Sequence, residues 1–320
     1  MTGRLLLVAT SPRLPAGLLS WHGWAALRSG PVFAGAESAQ VHAVRAAGID
    51  VTELPGAPAA QAATLREVAR EGGVACWLAG PTGDPELARA AGDLVARGGG
   101  DTELEVVYGS WDSPGARLLD AVAVMDRLRS PDGCPWDAEQ THASLMPYLL
   151  EEAYEAYAAL EDGDLDALRE ELGDVLLQVL FHARLAEEQP EDDNWSIDDV
   201  AGDLVDKLVR RHPHVFADTS VSGAAEVSTN WDSIKTAEKS RTSVTDGVPL
   251  SQPALTLAAT LLRKAEKAGI SLDRTGGEGI GERLLALVAE ARAAGLDPEV
   301  ELRQIARELR DRIVSAELRP

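Results

Sequence analysis

A chain of 320 residues with 52 acidic side chains against 30 lysines and arginines has a formal charge of −22, which disfavours a nucleic-acid groove or an anionic membrane surface as its partner. With 45% hydrophobic residues it can bury two or three cores and is not generally disordered. Its two cysteines, Cys76 and Cys134, are too few for a disulfide framework and form no CxxC pair, so a reducing cytoplasm is expected.

The opening apolar run at 5–8 is too short for a signal peptide, and no run of about 18 apolar residues suggests a membrane span. Residues 1–112 alternate short apolar runs, at 5–8, 75–79 and 104–108, with Ala-rich helical stretches at 40–47 and 86–96, which predicts a small α/β domain. From 113 to 242 the periodicity becomes helical, broken by loops at 130–136, 189–195 and 219–229, so an all-α domain is expected there. A polar stretch then leads to a last helical region, 243–320. The expected fold class is therefore mainly α.

Within the helical domain, Leu149, Leu150, Ala153, Tyr154, Tyr157 and Leu160 recur at helical spacing, as do Leu165, Leu168, Leu172, Val175, Leu176 and Val179. Between the two helices, Gly163 suits the left-handed position past a helix end and Asp164 can cap the next one. Glu151, Glu152 and Glu155 precede this tight turn; Glu171 and Asp174 follow it. Acidic residues three apart share a helix face, and Glu155 and Glu171 each sit ~10 Å from the bend at ~1.5 Å per residue. Glu152 and Asp174 pair one turn further up. Such a cluster is either a solvated acidic face or a divalent-metal site, and all-oxygen ligation favours Mg²⁺ or Mn²⁺ over zinc.

The ordered motifs Gly133-Cys134-Pro135-Trp136-Asp137, Gln140-Thr141, the Glu151 to Glu155 pattern, Glu170-Glu171-Leu172-Gly173-Asp174, Arg210-Arg211-His212-Pro213-His214-Val215-Phe216 and Trp231-x-x-x-Lys235 resemble the MazG nucleoside triphosphate pyrophosphohydrolases. The resemblance implies a homodimeric all-α enzyme, with Mg²⁺-dependent cleavage of NTPs and dNTPs to monophosphate and pyrophosphate, and a house-cleaning role in the nucleotide pool. It implies Glu152, Glu155, Glu171 and Asp174 as metal ligands. Glu151, rotated by about 100° from Glu152, either orients the water or makes a supporting contact. Arg210, Arg211, Trp231 and Lys235 match substrate-contacting positions, with helix-end and solvated charges as the alternative. A narrow-specificity relative, dUTPase-like or of the phosphoribosyl-ATP type, and a non-catalytic helical interaction protein are the competing functions.

Trp136 either stacks on a base or wedges its turn into the core, and the core reading is preferred. His142 and His182 are expected to sit alone, and His212 and His214 to pack or end helices. Residues 77–85 and 103–109 resemble part of a tetrapyrrole methylase domain. The region is about half the size of such a domain and lacks the glycine-rich turn, so a reduced structural remnant is expected. Residues 243–320 read as a degenerate repeat of the helical domain, in which Gly279 stands where Glu171 does and Glu282 where Asp174 does; that copy should bind no metal.

Overall fold

The computed structural model describes residues 2–217, 220–224, 226–227, 230–231, 234, 243–271 and 279–317. They form two compact units, Met1–Gly202 and Asp203–Pro320. The first begins with a five-stranded parallel sheet. Its strands are β1 (Gly3–Ala9), β2 (Val32–Ala34), β3 (Val51–Glu53), β4 (Val74–Leu78) and β5 (Thr102–Tyr108), in the order β3-β2-β4-β1-β5. Helices α1 (Trp21–Leu27), α2 (Ala39–Ala46), α3 (Pro58–Gly72) and α4 (Pro85–Arg97) connect successive strands.

The interior strand β1 explains its own sequence. In β1, Leu6 and Val8 join Ala26, Leu27, Val41 and Val44 in one buried cluster, while Leu5 and Leu7 join Ala62, Leu65, Ala69 and Leu87 in another. A strand covered by helices on both faces reads as an unbroken apolar run instead of an alternating one. The Gly83-Asp84-Pro85 piece of the methylase-like motif also has a structural job. Asp84 adopts a left-handed conformation before α4, and its Oδ2 accepts hydrogen bonds from Trp77 Nε1 at 2.8 Å and from the Gly80 amide at 2.9 Å.

The rest of the first unit is helical: α5 (Arg117–Arg129), α6 (Pro135–Glu139), α7 (His142–Asp162) and α8 (Leu165–Ala186), with α9 (Ile197–Arg211) beginning in this unit and ending in the second. Met125, Leu145, Leu180, Phe181 and Leu185 make the core where α5, α7 and α8 meet. Arg13, from the loop after β1, ion-pairs with Asp112 and Asp120 and so ties the sheet to the first turn of α5. The turn at Gly133 folds back on α5: the Cys134 amide donates to the Leu128 carbonyl at 2.8 Å, and a Cβ at Gly133 would lie 2.2 Å from that oxygen. Only glycine fits such an approach.

The second unit contains α10 (Pro213–Phe216), α11 (Ala254–Lys267), α12 (Ile280–Ala293) and α13 (Pro298–Glu317). Glu282, at the third position of α12, lies back over Gly279, where a Cβ would meet its Oε2 at 2.1 Å. A carboxylate there complements the positive end of the helix. Among the described residues no helix is long and apolar enough to cross a membrane.

Candidate metal centre

The site is built by a helical hairpin whose ends are fixed by local chemistry. Thr141 caps α7 reciprocally with Ser144: the Ser144 amide donates to Thr141 Oγ1 at 3.1 Å, and the Thr141 amide donates to Ser144 Oγ at 2.9 Å. At the other end Gly163 takes φ 70°, and the Asp164 amide closes back on the Ala159 carbonyl at 3.1 Å. Asp164 Oδ1 then accepts from the amides of Asp166 and Ala167 to start α8. The antiparallel turn read from Gly163 and Asp164 is the one the chain makes.

This hairpin brings Glu152, Glu155 and Glu171 together. Each offers a carboxylate oxygen, and these oxygens all lie within 4.8 Å of one another. Asp174 stands close enough for its charge to act on both Glu152 and Glu171. Desolvation, then the charges of Asp174 and Glu155, raise the Glu152 carboxyl above its ordinary 4.5. Desolvation, then Glu155 and Asp174, do the same to Glu171. Converging carboxylates without a counter-charge hold their protons more tightly. Glu151 is exposed and acts on Glu152 only as the weakest of its charged neighbours, consistent with its rotation around α7.

The donor set fits a hard cation. Converging carboxylate oxygens are the donor type that hard divalent cations such as Mg²⁺ take. Among the described residues, no second group of three such side chains converges. A cavity of about 620 Å³ elsewhere, lined by Arg13, Leu18, Leu19, Trp111, Pro114 and Leu119, contains no member of the cluster. Its walls are mostly apolar, and Arg13 there is already paired with two aspartates.

The basic candidates lie on the second unit. Arg210 and Arg211 end α9, and the Arg211 guanidinium carbon stands 5.5 Å from the Trp231 ring centroid. Lys235 lies outside the described residues. Two expectations for neighbouring side chains are corrected. Trp136 is 52% exposed and touches Tyr148 edge-on at 6.4 Å, because its turn is anchored by backbone and by Arg129, not by the indole. His142 and His182 are not alone: their Nδ1 atoms are 2.8 Å apart because the open end of the hairpin brings the start of α7 to the end of α8. Their ring centroids are 5.1 Å apart, which exceeds the nitrogen separation by about two ring radii, so the rings meet nitrogen to nitrogen as in an N–H···N hydrogen bond.

That bond needs one neutral acceptor. Burial, then His142, lowers the His182 pKa below 6.5. A depressed imidazole contributes stability that is present above 6.5 and lost as pH falls through the folded value. The Tm of the wild type should therefore drop between pH 7.5 and 5.5, and His182→Gln should flatten that part of the profile; equal slopes in the two proteins would refute the coupling.

Comparison with known proteins is consistent with this geometry. Residues 140–216 match the model of the MazG nucleotide pyrophosphohydrolase domain. The chain is 52% identical over 238 residues to an uncharacterized 26.1 kDa protein encoded in the blaB 3′ region of Streptomyces cacaoi, covering 73% of this chain and 97% of that one. It is 51% identical over 156 residues to a nucleoside triphosphate pyrophosphohydrolase of Mycobacterium tuberculosis, covering 49% of this chain and 47% of the relative, so it spans about half that protein's length. It is 36% identical over 228 residues to the Thermotoga maritima nucleoside triphosphate pyrophosphohydrolase/pyrophosphatase MazG, covering 63% of this chain and 86% of the other.

Proposed function

The chain belongs to the MazG nucleotide pyrophosphohydrolase family, and on that premise we propose that it hydrolyses nucleoside triphosphates, NTPs and dNTPs alike, to the monophosphate and pyrophosphate. The observation that carries the reading is the convergence of Glu152, Glu155 and Glu171 within 4.8 Å, inside the segment that matches the family. Glu152, Glu155, Glu171 and Asp174 would hold Mg²⁺, with Mn²⁺ as a substitute. When bound, the cation offsets triphosphate charge and makes a water more acidic.

The chain's own residues then position charge. Water attacks the α phosphorus, the α–β anhydride bond breaks and pyrophosphate leaves with the bonding electrons; the protein's task is alignment and charge balance. Arg210, Arg211 and Lys235 are the proposed partners of phosphate oxygens, since guanidinium and ammonium groups are the ordinary ligands of polyphosphates. Broad base specificity, a house-cleaning role and a cytoplasmic setting belong to the same proposal. So does a homodimer, which is supported by apolar side chains left uncovered on α7 to α9: Leu150, Leu160, Leu172 and Val205 are each more than half exposed.

Incubating the protein with ATP, dCTP, dGTP and dUTP, with and without Mg²⁺, tests the reading. Monophosphate and pyrophosphate are expected from several nucleotides, and only with the cation. Turnover of a single nucleotide would replace broad specificity with narrow specificity; diphosphate and phosphate as products would overturn the cleavage position.

A further inference from the structure

The second unit contains an aromatic arrangement that changes the role of Trp231. His212 follows the last residue of α9 and precedes Pro213, whose ring fixes the backbone as α10 begins. Its Nδ1 lies 2.6 Å from the Leu208 carbonyl. A carbonyl only accepts, so Nδ1 carries the proton and the ring is folded back over the end of α9. In that position the imidazole meets Trp231 edge to face, with centroids 4.8 Å apart and planes at 73°. The adjacent Arg211 places its guanidinium carbon 5.5 Å from the Trp231 centroid, within range of a cation–π contact. The indole is thus already engaged by two neighbours at the end of α9, Arg211 and His212, and Trp231 itself is half-buried.

We infer that Trp231 is a positioning residue for Arg211 and not a platform for the nucleobase, an inference that rests on the reading of Arg211 as a phosphate contact. A guanidinium on a long flexible stem loses rotamer entropy when it binds phosphate. An indole face that holds it in one arrangement beforehand lowers that cost. His212, locked to Leu208, meets the same indole edge to face. Trp231 acts through Arg211, so its contribution belongs to the phosphates and is the same for every base.

Steady-state kinetics with ATP and UTP on Trp231→Leu, Trp231→Phe, Arg211→Ala and the Trp231→Leu/Arg211→Ala double variant test this. Removing a charge-assisted phosphate contact should raise KM roughly 10-fold or more in Arg211→Ala. Trp231→Leu should raise KM several-fold and equally for both nucleotides, Trp231→Phe should restore it by returning a π face, and the double variant should be no worse than Arg211→Ala. An additive double variant, or a changed ATP-to-UTP preference in Trp231→Leu, would overturn the inference while leaving the phosphate reading standing. An unchanged KM in Arg211→Ala would remove the phosphate reading first, and the role of Trp231 with it. Loss of the upfield ring-current shift of the Arg211 side chain in Trp231→Leu, kept in Trp231→Phe, is the expected result independent of turnover.

Discussion

Replacing Glu155 with glutamine should lower turnover by roughly 10²–10³-fold, the scale on which a single charge-stabilising group acts in a preorganised site. Glu155 is the informative choice because its charge raises both Glu152 and Glu171 while its oxygen is one of the three that converge. The same substitution should stabilise the cation-free protein. Carboxyls raised above 4.5 in the folded state contribute stability that is present below that value and lost as pH rises through the folded value, so relief of their repulsion should show as a higher Tm at pH 8 and vanish below about 4.5. Added Mg²⁺ should reverse the order by stabilising the wild type more than the variant. Lost activity together with a gain in cation-free stability separates removal of a ligand from misfolding. Full turnover in Glu155→Gln, or thermal curves indifferent to Mg²⁺ in the wild type, would defeat the metal assignment.

The hairpin was legible because its determinants are local. Gly163, Asp164 and the three-residue spacing of the acids each act within a turn or two of helix, and the structure makes the turn they specify. The sheet was only partly legible: β1, β4 and β5 stood out as apolar runs, but β2 and β3 are three residues each, too short for a periodicity, and gain their place by pairing with β4 and with each other. Helical periodicity identified which faces of α7 and α8 are apolar but not what covers them. Ala156 and Ala159 are buried, whereas Leu160 is 61% and Leu172 54% exposed, since an apolar stripe records a demand for burial without naming the partner that meets it. The histidine pair and Trp136 were missed for a related reason, as contacts at an open hairpin end depend on how two distant helix positions meet. No sequence pattern pointed to Arg129, whose partners are spread over about 60 positions.

Arg129→Met should cost about 3 kcal/mol, the lower end of the range for breaking a buried ion pair, because Glu188 is partly exposed and keeps Arg184 as a second partner. The Arg129 side chain is only 4% exposed. It makes a two-pronged contact with Glu188, Nε to Oε1 at 2.9 Å and Nη2 to Oε2 at 2.7 Å, while Nη1 donates to the Asp137 carbonyl and the guanidinium carbon stands 5.5 Å from the Phe181 centroid. One side chain thus joins the end of α5, the Gly133 to Asp137 turn and the end of α8. The pair also predicts a pH signature. Hydrogen bonding to Arg129 holds the Glu188 carboxyl below 4.5, so its contribution is present above that value and lost as pH falls through the folded value. The Tm difference between wild type and Arg129→Met should therefore be largest near neutrality and shrink in acid. Adding Glu188→Leu to the variant should recover part of the loss, since the carboxylate left without its main partner is then gone. Because α8 carries Glu171 and Asp174 further along the same helix, Arg129→Met should also weaken Mg²⁺-induced stabilisation. A Tm within about 1 °C of the wild type at neutral pH would show that the turn is held without Arg129, a result far below the shift of several degrees that about 3 kcal/mol implies for a unit of this size.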